Sequence, residues 1–273
     1  MKANKTTKLF VGFDQQHYTL PEEVLEQRRR LEAFAAASDW PVDPWPSAHA
    51  ALLDQVRAVA DGGGPPDVAA AVAARTASEI VMATLPAARR QVAEELALAV
   101  EQAVADYANE ILADHLRPAL AETLATVTTA AKAAPVEVLT AGDNMLLSAK
   151  DTVRKAALAI DGAAVRYSAI RGAHWCTRQY GGAVQQDQAG SYVELRRMEL
   201  AWPSHAVRTP PQRAPWEDMS PRARMLFLVA SGSEPWLPTA EEQDDRWAEV
   251  HGAGVAAHRE GQRQAQALGA VFG

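Results

Sequence analysis

Cysteine occurs once in these 273 residues, at Cys176, so no internal disulfide can form and no set of thiolates is present to hold structural zinc. That usage suits an intracellular or otherwise non-oxidising compartment. Positive charge is also short, with 27 Lys and Arg against 34 Asp and Glu and a net charge of −7. A dedicated nucleic-acid binder needs a basic face, so nucleic acid is not expected as a partner. Leu9 to Phe13 is too short for the apolar core of a signal peptide. Val92 to Leu116, read as the most apolar long stretch, carries Glu94, Glu95, Glu101, Asp106, Glu110 and Asp114. No membrane span is therefore expected, and the location implied is the cytoplasm or a virus particle assembled there.

Catalytic signatures are missing as well. No G-x-G-x-x-G follows a strand pattern, and the P-loop, H-E-x-x-H, C-x-x-C and G-x-S-x-G patterns are absent. No cofactor and no metal site are expected. Lysine, isoleucine and asparagine are scarce, at 6, 4 and 3 residues, beside 21 Arg and 57 Ala. GC-rich codons give this usage, which points to a GC-rich bacterium or its phage as the source.

What is present is helix-forming sequence divided by punctuation. A short strand is expected at Lys8 to Phe13. Pro21 followed by Glu22 and Glu23 starts a helix running to about Ala37, since Pro suits the first turn and acids complement the helix dipole. Trp40 to Pro46 contains three prolines and reads as a rigid linker, after which Ser47 caps a helix through Ala60. Gly62 to Pro66 is a turn, and Asp67 caps a run to Ala134 made almost wholly of strong helix formers, with Pro86 and Pro118 as expected kinks. Its large apolar residues after Val92 step by nearly 3.9, which drifts around the helix and disfavours a long two-stranded coiled coil. Pro135 closes this run. A second long helix is expected from Asn144 to about Tyr180, ended by Gly181-Gly182, packed antiparallel on the first. Tyr192 to Trp202 reads as helix, although its alternation also suits a bulged strand. His205 to Pro215 reads as a loop, Ser220-Pro221 as the start of a buried helix through Ala230, and Thr239 as the start of a polar helix towards Leu268.

The fold class implied is mainly α: a long kinked antiparallel hairpin or bundle with Trp- and Pro-containing connections and little or no sheet. The organisation implied is an N-terminal helical arm (1–66), the hairpin (67–180) and an irregular segment ending in helix (181–273). Charge follows the chain, with a basic segment at 150–224 (12 basic, 7 acidic) between acidic ones.

Four groups of residues are candidates for chemistry. Tyr167, Arg171, His174 and Arg178 share one helical face and could hold a phosphate or carboxylate; packing on the acidic long helix, or solvation, is the plainer expectation. Cys176 lies near Arg171, His174 and Arg178, cations that would favour a reactive thiolate, although a buried inert thiol is the commoner fate. Trp40, Trp45, Trp202, Trp216 and Trp236 each adjoin proline and suit docking of a protein partner, the alternative being rings that plug the ends of an Ala-rich bundle. His251 and His258, with Glu249 and Glu260 nearby, have metal-binding chemistry but read as surface residues. Together these features imply a structural or adaptor component of a homo- or hetero-assembly, such as a phage particle or bacterial machine. A helical ligand-binding protein or enzyme using the Tyr167 to Arg178 face is the alternative.

Overall fold

A computed structural model describes residues 6–38, 40, 43–60, 63–141, 143–180, 194–201, 216 and 218–251. These residues are mostly helical and contain no sheet. In chain order the helices are α1 (Thr7–Asp14), α2 (Glu22–Ala36), α3 (Trp45–Ala60), α4 (Val68–Asp106), α5 (Ala108–Glu110), a π-helical segment (Ile111–Leu116), α6 (Arg117–Ala131), α7 (Val136–Leu139), α8 (Asp143–Ser148), α9 (Asp151–Tyr180), α10 (Met198–Ala201), α11 (Pro221–Ala230) and α12 (Ala240–His251).

Local capping chemistry sets most of the starts. Asp67 accepts the Ala70 N–H at 3.0 Å, and Ser220 Oγ accepts that of Ala223 at 3.3 Å. Ahead of α12, Thr239 Oγ1 accepts the Glu242 N–H at 3.1 Å while the Glu242 carboxylate accepts the Thr239 N–H at 2.8 Å, a reciprocal capping box. α3 begins at Trp45, ahead of the expected Ser47, because the Asp43 carboxylate accepts the Trp45 N–H at 2.9 Å and Pro46 needs no N–H partner in a first turn.

Several expectations are corrected. Lys8 to Phe13 is helical, within α1, since a short apolar run carries no period to separate strand from helix. The run from Asp67 is interrupted at Tyr107 and widens to π geometry just before Pro118, whose missing N–H a regular turn would have required. Pro86 lies inside an uninterrupted α4. The second long helix starts at Asp151, separated from α8 by Ala149 and Lys150. Residues 194–201 are neither one helix nor a strand: Leu195 forms an isolated antiparallel bridge with Pro235, and only Met198–Ala201 is helical. Trp202, the His205 to Pro215 loop, Gly181-Gly182 and the chain beyond His251 lie outside the described residues.

The chain divides into two compact units, Met1–Pro21 with Val104–Gly273, and Glu22–Ala103. In the first, α9 is the central element and packs on α6, α1 and α11. Its inner positions include Ala156, Ala157, Ala163, Ala164 and Ala173, whose small side chains let neighbours approach closely, while Ile160 and Ile170 fill the remaining depth. Leu9, Leu116, Leu139, Met225, Leu228 and Leu237 complete this core. Arg222 ties α11 to α9 through Asp161, with Nε 2.8 Å from Oδ1, and donates to the Leu139 carbonyl at 3.2 Å.

The second unit holds α2, α3 and α4 as far as Ala103. Arg89 lies over Trp40 at 4.3 Å and Arg75 over Trp45 at 5.2 Å, which sets both rings along one side of α4. Only Val24, Ala71, Ser78 and Val100 are buried among the described residues of this unit. Leu53, Val56 and Val59 of α3 and Val68, Val72 and Ile80 of α4 are exposed, Val72 at 59% and Ile80 at 58%. α4 also contains an 18-residue stretch of mean hydropathy 1.4 that is 11% buried, long and apolar enough by length and composition to cross a membrane. The apolar maximum thus lies ahead of Val92 to Leu116: alanines raise the mean between Val68 and Ala88, where Arg75 and Glu79 are the charged residues.

Candidate functional site

The face carrying Tyr167, Arg171, His174 and Arg178 is real and continuous on α9, and the chain itself covers it. Tyr167 is buried and donates to Glu194 Oε1 at 2.8 Å. Arg171 Nη1 donates to the Trp236 carbonyl at 2.7 Å, His174 Nε2 lies 2.8 Å from the Pro238 carbonyl, and Arg178 donates to Gln243 Oε1. A carbonyl only accepts, so His174 carries its proton on Nε2. From α6, Arg117 adds a bond to the Leu237 carbonyl at 3.1 Å and an ion pair with Glu242. Glu194 is shared with Arg224 of α11. These contacts strap residues 194–197 and 233–243 to α9, where sequence reasoning had expected the acidic long helix or water. A phosphate or carboxylate on this face would have to displace a carbonyl or amide oxygen from every cation.

Burial sets the protonation of the groups beneath the strap. His174 is 1% exposed, and desolvation, aided by the nearby guanidinium of Arg171, pushes its pKa down to about 3. It is a neutral donor at pH 7. Burial drives the Tyr167 hydroxyl above the ordinary phenol range, and the Glu194 carboxylate reinforces this against the opposing pull of Arg171. Cys176 is fully buried, and desolvation raises its thiol pKa despite a bond to the Leu9 backbone and the charge of Lys8. Its thiol is therefore protonated and shielded, the opposite of the reactive thiolate that its sequence neighbours suggested.

The outer side of the strap and α6 enclose a cleft of about 720 Å³ with α12. Leu120, Leu124, Pro235 and Leu237 form its apolar floor, and Arg117, Arg196, Arg246, Glu242, Asp245 and Glu249 its charged rim. Arg246 donates to Glu249 at 2.8 Å and, through Nε, to the Arg196 carbonyl at 2.7 Å, while the Arg196 guanidinium lies 5.7 Å from the Trp236 ring. Among the described residues the lining has no His, Cys, Ser, Thr or Tyr, and the side chains there that could take part in acid–base or nucleophilic chemistry are the carboxylates of Glu242, Asp245 and Glu249. Sequence reasoning singled out Trp236 and Glu249 here and missed the arginines: Arg117 reaches Glu242 from 125 residues away and Arg246 reaches the Arg196 carbonyl from 50.

A second cleft, of about 580 Å³, lies between α1, residues 16–19 and the start of α6. It gathers Asp14, His17, Asp114, His115, Glu122 and Arg166, none of which the sequence pattern brought together. Arg166 donates to the His17 carbonyl at 2.9 Å and to Glu122 at 2.6 Å, which holds the Glu122 carboxyl below its usual range. His115 Nδ1 is 2.6 Å from Thr19 Oγ1. Desolvation, then Arg166, lowers the His17 pKa, and its buried Nε2 has no hydrogen-bond partner. Among the described residues no trio of His, Cys, Asp or Glu is placed to hold a metal ion.

The tryptophans divide. Trp216 is 4% exposed and stacks on Phe227 at 6.0 Å, which removes its ring from the surface. Trp40, Trp45 and Trp236 are half-buried, each beneath an arginine, so one face of each ring is already occupied. Trp175, not among the docking candidates because no proline adjoins it, is 50% exposed and lies 5.0 Å from the Lys8 ammonium. Compared with protein-family models, curated protein sequences and solved structures, the chain has no match.

Proposed function

We propose that this chain is a non-enzymatic structural or adaptor component of a larger protein assembly, working through helix faces and the Trp-Pro segments. The observation that carries the proposal is the second unit: Leu53, Val56, Val59, Val68, Val72 and Ile80 stand in water on α3 and α4, although an isolated soluble unit gains by covering such groups. Half-buried Trp40 and Trp45, fixed beneath arginines, give the same unit rigid aromatic surface with little entropy to lose on docking. Composition adds support for a GC-rich bacterial or phage setting, such as a virus particle or a bacterial multiprotein machine.

Native mass spectrometry of the chain isolated from its source at its natural abundance tests this. The expected result is a complex of fixed stoichiometry larger than two copies, which loses this chain when Leu53 and Val56 are both changed to Glu. Recovery only as a free chain of 29.4 kDa would overturn the proposal.

A further inference from the structure

The charges around the cleft between α6 and α12 do not all find partners. Each helix gives it four residues at the spacing of one face, those of α12 all charged and three of those of α6 apolar, and residues 235–237 complete the lining. Arg117 pairs with Glu242, and Arg246 pairs with Glu249 at 2.8 Å. One cation and one anion are left over, Arg196 and Asp245, and both are exposed. Among the described residues the Arg196 guanidinium meets the Trp236 ring, at 5.7 Å, and helps Arg246 hold the Glu249 carboxyl below its usual range. Its backbone is fixed on both sides: its N–H donates to the Glu234 carbonyl at 3.0 Å, and its carbonyl accepts from Arg246 Nε at 2.7 Å. A guanidinium set against a ring and carried by a fixed backbone loses little freedom on meeting a carboxylate. Arg246 reaches from α12 to the Arg196 carbonyl, so its neighbour Asp245 opens onto the same cleft.

We propose that this cleft binds a zwitterion with an apolar body, either an α-amino acid with a large apolar side chain or a short peptide of such residues. The carboxylate sits on Arg196, the ammonium on Asp245, and the body lies against Leu124, Pro235 and Trp236, which are half-buried and keep apolar surface open to the cleft. Opposite charges on one molecule satisfy both leftover groups and add no net charge. A simple anion would face Asp245 unpaired, and a simple cation would face Arg196. The volume of about 720 Å³ falls within the range of small-molecule sites, about 300–1,000 Å³, and has room for two or three residues. This site lies in the first unit, whereas the assembly proposal rests on the second, so either can fail without the other.

Titration calorimetry on the purified full chain tests it with L-phenylalanine and L-leucyl-L-leucine, which separate a free amino acid from a short peptide. At least one of the two should bind saturably at a single site, and glycine, which lacks the body, should not. Removing one charge from the probe that binds, by acetylating its amine or amidating its carboxylate, should raise Kd roughly tenfold or more. Arg196→Gln should cost the parent probe as much as amidation does, and should cost the amidated probe nothing further. Asp245→Asn should stand in the same relation to acetylation. Both positions are exposed, so helicity by circular dichroism should not change in either variant. No saturable binding of either probe, a blocked form or glycine binding as tightly as the parent, or a Kd that neither substitution moves would each overturn the proposal.

Discussion

Under the strap, His174 is the residue whose chemistry is most altered by folding. Its native pKa, about 3, lies below the unfolded value of 6.5, so the folded state favours the neutral ring. Its contribution to stability is complete above pH 6.5 and is lost as pH falls from 6.5 towards 3, because the unfolded chain takes up a proton that the native chain refuses. The slope approaches about 1.4 kcal/mol per pH unit in that window. Urea unfolding of the wild type between pH 6.5 and 4.5 should show it, and His174→Gln should flatten it; His17, also lowered, keeps a share of the slope in both. Equal slopes in the two proteins would mean that His174 is solvated. Cys176 gives a second check on the same core. Its buried, protonated thiol should resist a disulfide reagent in the native chain and react fully once the chain is unfolded in guanidinium. Rapid labelling of the native protein would refute the packing of α9 on α1.

Two helical glycines separate propensity from packing at the scale of the element. Gly162, exposed in α9, has nothing within 4 Å of where a Cβ would stand, so Gly162→Ala should stabilise by about 0.5–1 kcal/mol through the unfolded chain and helix propensity. Gly12, buried in α1, would place a Cβ 2.6 Å from the Tyr18 ring, which is itself held by a bond from its hydroxyl to the Leu9 carbonyl. There the same substitution should destabilise by about 1–3 kcal/mol, since overpacking outweighs propensity. Thermal unfolding of both variants should move in opposite directions, and a shared sign would show that α1 does not pack as described.

Those elements were legible to different degrees for a physical reason. The Asp67, Ser220 and Thr239 starts are written in three or four consecutive residues, and all three hold. The face from Tyr167 to Arg178 was legible as a face, because helical spacing is local. Its occupant was not, because Pro238 and Gln243 arrive from 64 and 65 residues away with no periodic pattern to announce them.

On the scale of the whole molecule, five arginines of the basic stretch at 150–224 turn inward. Arg166, Arg171, Arg178, Arg222 and Arg224 all donate within the first unit, so this part of the basic charge holds that unit together, while Arg154 and Lys155 pair with Asp151 on its surface. The two units therefore differ in what stabilises them. In the first, Ile160, Ile170, Leu116 and Val127 are fully buried on α9, the π-helical segment and α6. In the second, few of the described side chains are buried, and its helices depend more on local hydrogen bonds and capping. Amide exchange measures this difference directly, because opening free energy falls where few apolar contacts must be broken. In dilute protein, amides of α3 and of Val68 to Ala87 should exchange at least about tenfold faster than those of Ala156 to Ala173. Protection of α3 and α4 equal to that of α9 in dilute protein would mean that the second unit is as firmly closed as the first, and the case for a missing partner would lose its physical basis.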